Sequence, residues 1–287
     1  MSDKADFQIE VTDEQVAFFQ KNGFLSIERI TTDEEVEWLK GIYDKLFGER
    51  VGEDKGDYFD LAGQGHKDGR DVLPQVLGPE RTFPELRETI YWRNARAIAS
   101  RLLSTADDKL SAGGHMILKP PHYGAETPWH QDEAYWPEEV IAHGLSAWMP
   151  LDKATIDSGC LHFVPGSHRD DIHHHEHIGY DPAVHGLFTE AANEKPAVAC
   201  PLNPGGATFH HCRTLHYAGP NNTPNPRRAY IIVVNAPPTR LETPLDKPWL
   251  RAEREAMGKV KNLELTQSVQ NEERTSDARF LFFILHS

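Results

Sequence analysis

The sequence predicts a mainly β fold with flanking helices, and three observations carry that expectation. From about residue 111 onward, short apolar segments alternate with Pro, Gly, Asn and Asp clusters. These segments are His115–Leu118, Leu145–Leu151, Cys160–Val164, Ala207–His210 and Tyr230–Val234, the pattern of many short strands in a sandwich or barrel. Before them, apolar residues recur at helical spacing instead. No internal repeat is visible, and 287 residues suit one elaborated β unit. Helices in front of such strands point to a double-stranded β-helix, a jelly roll with a cupin-like core.

The elements follow in order. Thr12-Asp-Glu-Gln15 and Thr32-Asp-Glu-Glu35 each match a capping box, so each is expected to start a helix. Val16 and Phe19 form the apolar stripe of the first, which Asn22-Gly23 ends with a left-handed cap. Val36, Leu39, Tyr43 and Leu46 mark the buried face of the second. Residues 48–80, rich in Gly, Asp and Lys, are expected to form a long excursion near a binding site. A third helix follows, with Pro84 near its start and Leu86, Ile90, Ile98 and Leu102 inward. The expected organisation is one domain over 1–287: a helical part to about 110, a β core over 111–240, and an extension over 241–287.

Composition narrows the function. A formal charge of -14, with no dense Lys/Arg cluster, argues against nucleic acid as a partner. The N-terminus lacks the basic start and apolar stretch of a signal peptide. No apolar run is long enough for a membrane span, so a cytoplasmic protein acting on a small molecule is expected, with homo-oligomer formation left open. Cys160, Cys200 and Cys212 show no CxxC spacing and are expected to be reduced core thiols. The tract Ile172-His-His-His-Glu-His-Ile178 is expected to be a solvated loop, since adjacent histidines on an extended chain cannot all face one ion.

The chemistry lies in His130-Gln131-Asp132, with His216 and Arg227 downstream. On an extended chain, residues i and i+2 point the same way, so His130 and Asp132 can share one ion while Gln131 faces elsewhere. A third ligand must come from another strand; His216 is best placed, and His210, His211 and His162 are lesser candidates. Two imidazoles and a carboxylate cap one face of a ferrous ion and leave positions open for a cosubstrate and O2. Strand alternation sends Arg227 and Arg228 to opposite faces. A buried Arg227 offers a planar fork for the far carboxylate of 2-oxoglutarate, and Arg228 suits a surface salt bridge.

Four runs carry a family resemblance. Met116-Ile-Leu-Lys-Pro-Pro121, Thr127-Pro-Trp-His-Gln-Asp-Glu133, Gly159-Cys-Leu-His-Phe-Val-Pro-Gly-Ser-His168 and His216-Tyr-Ala-Gly-Pro-Asn, with Arg227 beyond, resemble the phytanoyl-CoA dioxygenase family over roughly residues 12–240. The resemblance implies that His130, Asp132 and His216 bind Fe(II) and that Arg227 holds the distal carboxylate of 2-oxoglutarate. It further implies Trp148 and Met116 as walls of the cosubstrate pocket, with Gln75 and Thr127 as additional contacts. Ser167 and His168 are expected to shape a turn. Where many relatives carry a serine two residues after the distal histidine, this chain has Ala218. The carboxylate at 132 argues for hydroxylation over halogenation, because related halogenases carry a small residue there. No basic pocket for coenzyme A phosphates is visible, which favours a free small molecule as substrate. The alternatives are a cupin-like lyase, isomerase or binding protein using zinc or manganese on the same ligands, and a degenerate member with a structural role.

Overall fold

A computed structural model of the chain describes residues 7–63, 69–192 and 195–268. Residues 64–68 of the expected excursion, 193–194, and the chain ends 1–6 and 269–287, on which the terminal expectations partly fall, lie outside the described residues. The helices are α1 (Asp13–Asn22), α2 (Asp33–Gly48), α3 (Pro79–Thr82), α4 (Ile90–Leu102) and α5 (Pro248–Ser268). The strands are β1 (Phe24–Ile27), β2 (Tyr58–Asp60), β3 (Pro74–Leu77), β4 (Ser111–Lys119), β5 (Thr127–His130), β6 (Val140–Pro150) and β7 (Leu161–Phe163). They continue as β8 (Glu176–His177), β9 (Leu187–Phe188), β10 (Val198–Cys200), β11 (Ala207–His211), β12 (His216–Ala218) and β13 (Arg227–Arg240).

A seven-stranded antiparallel sheet, β1-β11-β6-β13-β4-β3-β2, faces a four-stranded one, β10-β7-β12-β5. This is the jelly roll that the sequence predicts. The part before residue 110 is not only helical, however: β1 adds to one edge of the large sheet and the β2–β3 hairpin to the other. Strands of three or four residues are too short to show a period against their surroundings.

Alternation assigns the two faces of the large sheet. Along β13, Tyr230, Ile232 and Val234 pack with Leu39, Tyr43, Tyr91 and Ile98 of the helices. Ala229, Ile231 and Val233 turn toward the small sheet and join Phe24, Trp148 and Phe163. Phe24 stacks on Phe163 with ring centroids 4.7 Å apart. Tyr91 ties α4 down by donating to the carbonyls of Ala147 (2.8 Å) and Tyr230 (3.1 Å).

The capping signals hold for α1, where Thr12 and Gln15 bond reciprocally and Gly23 (φ 81°) closes the helix. On α2, Thr32 caps the Glu35 amide, but the Glu35 side chain does not complete the box. It turns instead to the first amides of α4, accepting from Ile90 (2.7 Å) and Tyr91 (2.9 Å), and from the Thr31 hydroxyl. A carboxylate at a helix N-terminus meets both the free amides and the dipole. The third helix also begins later than Pro84 predicts: residues 84–88 form a 3-10 turn, and Thr89 caps α4. Glu35→Ala strands two buried amides and is expected to cost about 2–4 kcal/mol of stability. Urea unfolding checks this, with Glu35→Gln, which keeps an acceptor, losing less.

Candidate metal centre

His130 ends β5 and pairs across the small sheet with His216, the first residue of β12. Their rings lie 4.1 Å apart. Gln131 keeps an extended backbone (φ -120°, ψ 131°), so the i, i+2 relation carries through to Asp132 even though the strand has ended and Asp132 opens a 3-10 turn. The carboxylate Oδ1 lies 3.6 Å from His130 Nε2 and 3.5 Å from His216 Nε2. One ligand atom from each of the three residues falls within 4.8 Å of the others.

Local hydrogen bonds fix both tautomers. His130 Nδ1 sits 2.7 Å from the Pro128 carbonyl and His216 Nδ1 2.9 Å from the Thr214 carbonyl. A carbonyl only accepts, so each Nδ1 carries the proton and each Nε2 turns a lone pair toward Asp132. Burial, with the imidazoles of His130 and His210, pushes His216 well below its ordinary value. Burial alone would raise Asp132, but the imidazoles of His216, His130 and His210 outweigh it and hold the carboxyl well below the usual range. Ser146 Oγ donates to Oδ2 at 2.6 Å. Two imidazole nitrogens and a carboxylate oxygen fit a divalent first-row metal.

Gln131 faces away from the triad and secures it from behind. Its amide donates to the Arg213 carbonyl (2.9 Å), its side-chain oxygen accepts from the His173 amide (2.8 Å), and its backbone N–H donates to His175 Nε2 (3.1 Å). The expected solvated loop is therefore corrected: His175 and His177 are buried, because each supplies polar partners to backbone that packs behind the site. Burial pushes His175 down to about 3 from 6.5, and His115 and His211 each to about 4. Between the folded and unfolded values, the unfolded chain binds protons that the folded chain refuses, so stability rises with pH there. It is fully present above about pH 6.5 and is lost as pH falls toward 3. Thermal unfolding from pH 7.5 to 4 is expected to show a melting temperature that is flat and then falling; no decline would contradict it.

Arg227 points between the sheets and is 1% exposed. Its guanidinium lies 5.3 Å from the Trp148 ring centroid, and Nε and Nη1 have no hydrogen-bond partner. Burial lowers it to about 10, which leaves it protonated at neutral pH. Arg228 faces out and pairs with Asp152 and Asp44, each at 3.1 Å. A buried cation with free donors requires an anion, and a carboxylate fits the fork.

Other expected contacts divide by strand parity. Gln75 lies opposite Ile117 and shares its inward face. Thr127 Oγ1 accepts from Lys119 Nζ at 3.3 Å. Met116 does not line this space; it packs in the helix-side core and pairs with Tyr230. Alternation along β4 turns His115, Ile117 and Lys119 inward, so Met116 cannot form the expected wall. Ser167 bonds to Val164 and Leu215, and His168 faces Gln20.

The sequence reading missed two buried lysines. Lys119, directly opposite Arg227, donates to the carbonyls of Ala125 (2.5 Å) and Ala218 (3.3 Å); the parity of β4 signals it. Lys247 donates to the carbonyls of Glu133 (2.6 Å) and Trp136 (2.8 Å), bracing the turn that begins at Asp132. Trp249 Nε1 adds a bond to Ala134 (2.9 Å), and Glu253 reaches His185 (2.7 Å). Nothing local in 241–287 announces these roles.

A jelly roll holding such a triad and such an arginine defines a class, the oxygenases that use iron(II) and 2-oxoglutarate. The profile described as Phytanoyl-CoA dioxygenase (PhyH) matches residues 19–229, and the chain belongs to that family. It is similar to EvdO2 from Micromonospora carbonacea var. aurantiaca, solved in complex with 2-oxoglutarate (39% identity, TM-score 0.73, 84% of this chain and 98% of that one). It is also similar to a probable phytanoyl-CoA dioxygenase of Caenorhabditis elegans, 26% identical over 75% of this chain and 72% of the relative. The carbocyclase SnoK of nogalamycin biosynthesis shares the fold at 24% identity (TM-score 0.64, 79% of this chain and 85% of that one). Among the described residues no helix is long and apolar enough to cross a membrane.

Proposed function

We propose that the chain uses O2 to hydroxylate an unactivated C–H bond of a free small molecule, one oxygen atom entering the new hydroxyl and the other the succinate formed, with carbon dioxide, from 2-oxoglutarate. In this reading His130, Asp132 and His216 hold iron(II), and Arg227 holds the distal carboxylate of 2-oxoglutarate. The observation that carries it is the buried Arg227 guanidinium with Nε and Nη1 unpartnered, which a lyase or isomerase using the same three ligands would not need. Iron(II) with 2-oxoglutarate would, when bound, activate O2, which is the oxidant for C–H cleavage.

The chain's own residues bind and orient. Arg227 pairs bidentately with the carboxylate and sets the direction in which the cosubstrate lies. Trp148 covers the guanidinium and keeps water from competing for its donors. The carbonyls of Pro128 and Thr214 hold both imidazoles in the ligating tautomer. Gln75 and Thr127 stand on the inward faces of their strands as further cosubstrate contacts.

Anaerobic addition of iron(II) and 2-oxoglutarate to metal-free protein tests this reading. The weak visible charge-transfer band of the chelate is expected, weakened in Arg227→Ala, and succinate release then screens free small molecules. No band, with tight zinc or manganese binding, would favour the non-oxidising alternative.

A further inference from the structure

His210 stands beside the triad without belonging to it. It lies opposite Ser146 in the pairing of β11 with β6, so both side chains share the face that looks toward the small sheet. The ring is 2% exposed, and it packs against His216 (4.3 Å) and Phe163 (5.3 Å). Neither of its nitrogens has a hydrogen-bond partner. Leaving a buried polar group unsatisfied costs about 1–3 kcal/mol, a penalty that a phenylalanine here would avoid.

The nearest polar atom explains the imidazole. Nε2 lies 3.3 Å from Asp132 Oδ2, close enough to bond after a small turn of either side chain. The two oxygens of Asp132 therefore have different surroundings. Oδ1 faces the Nε2 atoms of His130 and His216, and Oδ2 faces Ser146 and His210.

We propose that His210 is a positioning residue for Asp132, donating from Nε2 to Oδ2 beside Ser146 once a metal engages Oδ1. Held by two donors, Oδ2 is kept off the metal and the carboxylate binds through one oxygen only. That preserves an open position, which a cosubstrate binding through two atoms and O2 together require. The proposal rests on reading the triad as the metal site.

Cobalt(II) titration of metal-free protein, followed by its visible absorption, tests it. In His210→Phe the affinity is expected to fall about 10- to 100-fold, with a spectrum shifted toward higher coordination as Asp132 chelates. The metal-free variant is expected to melt at the wild-type temperature or above, since an unsatisfied polar group is gone. His210→Gln, which returns a donor, is expected to recover most of the affinity. An unchanged affinity and spectrum in His210→Phe, or a glutamine variant no better than phenylalanine, would overturn the proposal. Tight cobalt binding by His216→Ala would instead overturn the reading of the triad.

Discussion

His216→Ala is expected to abolish metal retention and turnover. The imidazole at 216 is one of the two nitrogen donors of the proposed triad, and the Thr214 carbonyl fixes its tautomer so that no rearrangement is needed to ligate. Alanine cannot replace the donor, and His210, whose Nε2 lies 3.3 Å from Oδ2, meets the other oxygen of Asp132 from the one His216 faces. Loss of partners outside the ligand shell commonly costs 10- to 100-fold in metal affinity, so removal of a ligand is expected to cost more than about 100-fold. Titration with iron(II) or cobalt(II) reads the first effect and substrate-dependent succinate formation the second. Retained succinate formation would sink the ligand assignment.

Arg227→Met separates cosubstrate binding from both metal binding and folding. Truncating one partner of a buried, hydrogen-bonded charge pair costs roughly 2–5 kcal/mol, so the affinity for 2-oxoglutarate is expected to fall about 30-fold or more. Cobalt(II) affinity in the absence of 2-oxoglutarate should not move, because Arg227 makes no contact with the triad. The protein without cosubstrate should melt at a higher temperature, since an unpaired buried cation is replaced by an apolar side chain of similar length. Discrimination should also collapse: 2-oxo acids lacking the distal carboxylate should bind the variant nearly as well as 2-oxoglutarate does. A variant that keeps its preference for 2-oxoglutarate would place the anchor elsewhere, with Lys119 the next residue to change.

Features set by local periodicity were legible in the sequence. The apolar spacing of Val36, Leu39, Tyr43 and Leu46 found the buried face of α2, and alternation separated Arg227 from Arg228. Met116 needed the register of β4 against β13 as well: Lys119 pairs with Arg227, and parity then puts 116 on the helix side. The expected wall at 116 rests on the family resemblance alone, and on a strand one residue is the difference between two faces. Long-range partnerships were not legible. The Glu35 carboxylate serves α4 and not its own helix, and His175 accepts a backbone proton from Gln131. Such pairings depend on which segments meet in space, and a linear pattern carries no record of that.

The bracing of the Asp132 turn bears on where this catalytic unit stops. The family-matched span ends within β13, yet the ammonium that fills the ring of carbonyls under residues 133–136 comes from Lys247, and the indole that closes it comes from Trp249. A fragment trimmed to the recognisable motif would keep His130, Asp132 and His216 and still strip the turn after the aspartate of three of its supporting hydrogen bonds. Portability of the chemistry to another scaffold, or to a shortened expression clone, therefore depends on carrying a stretch of sequence whose own composition gives no hint that it is needed.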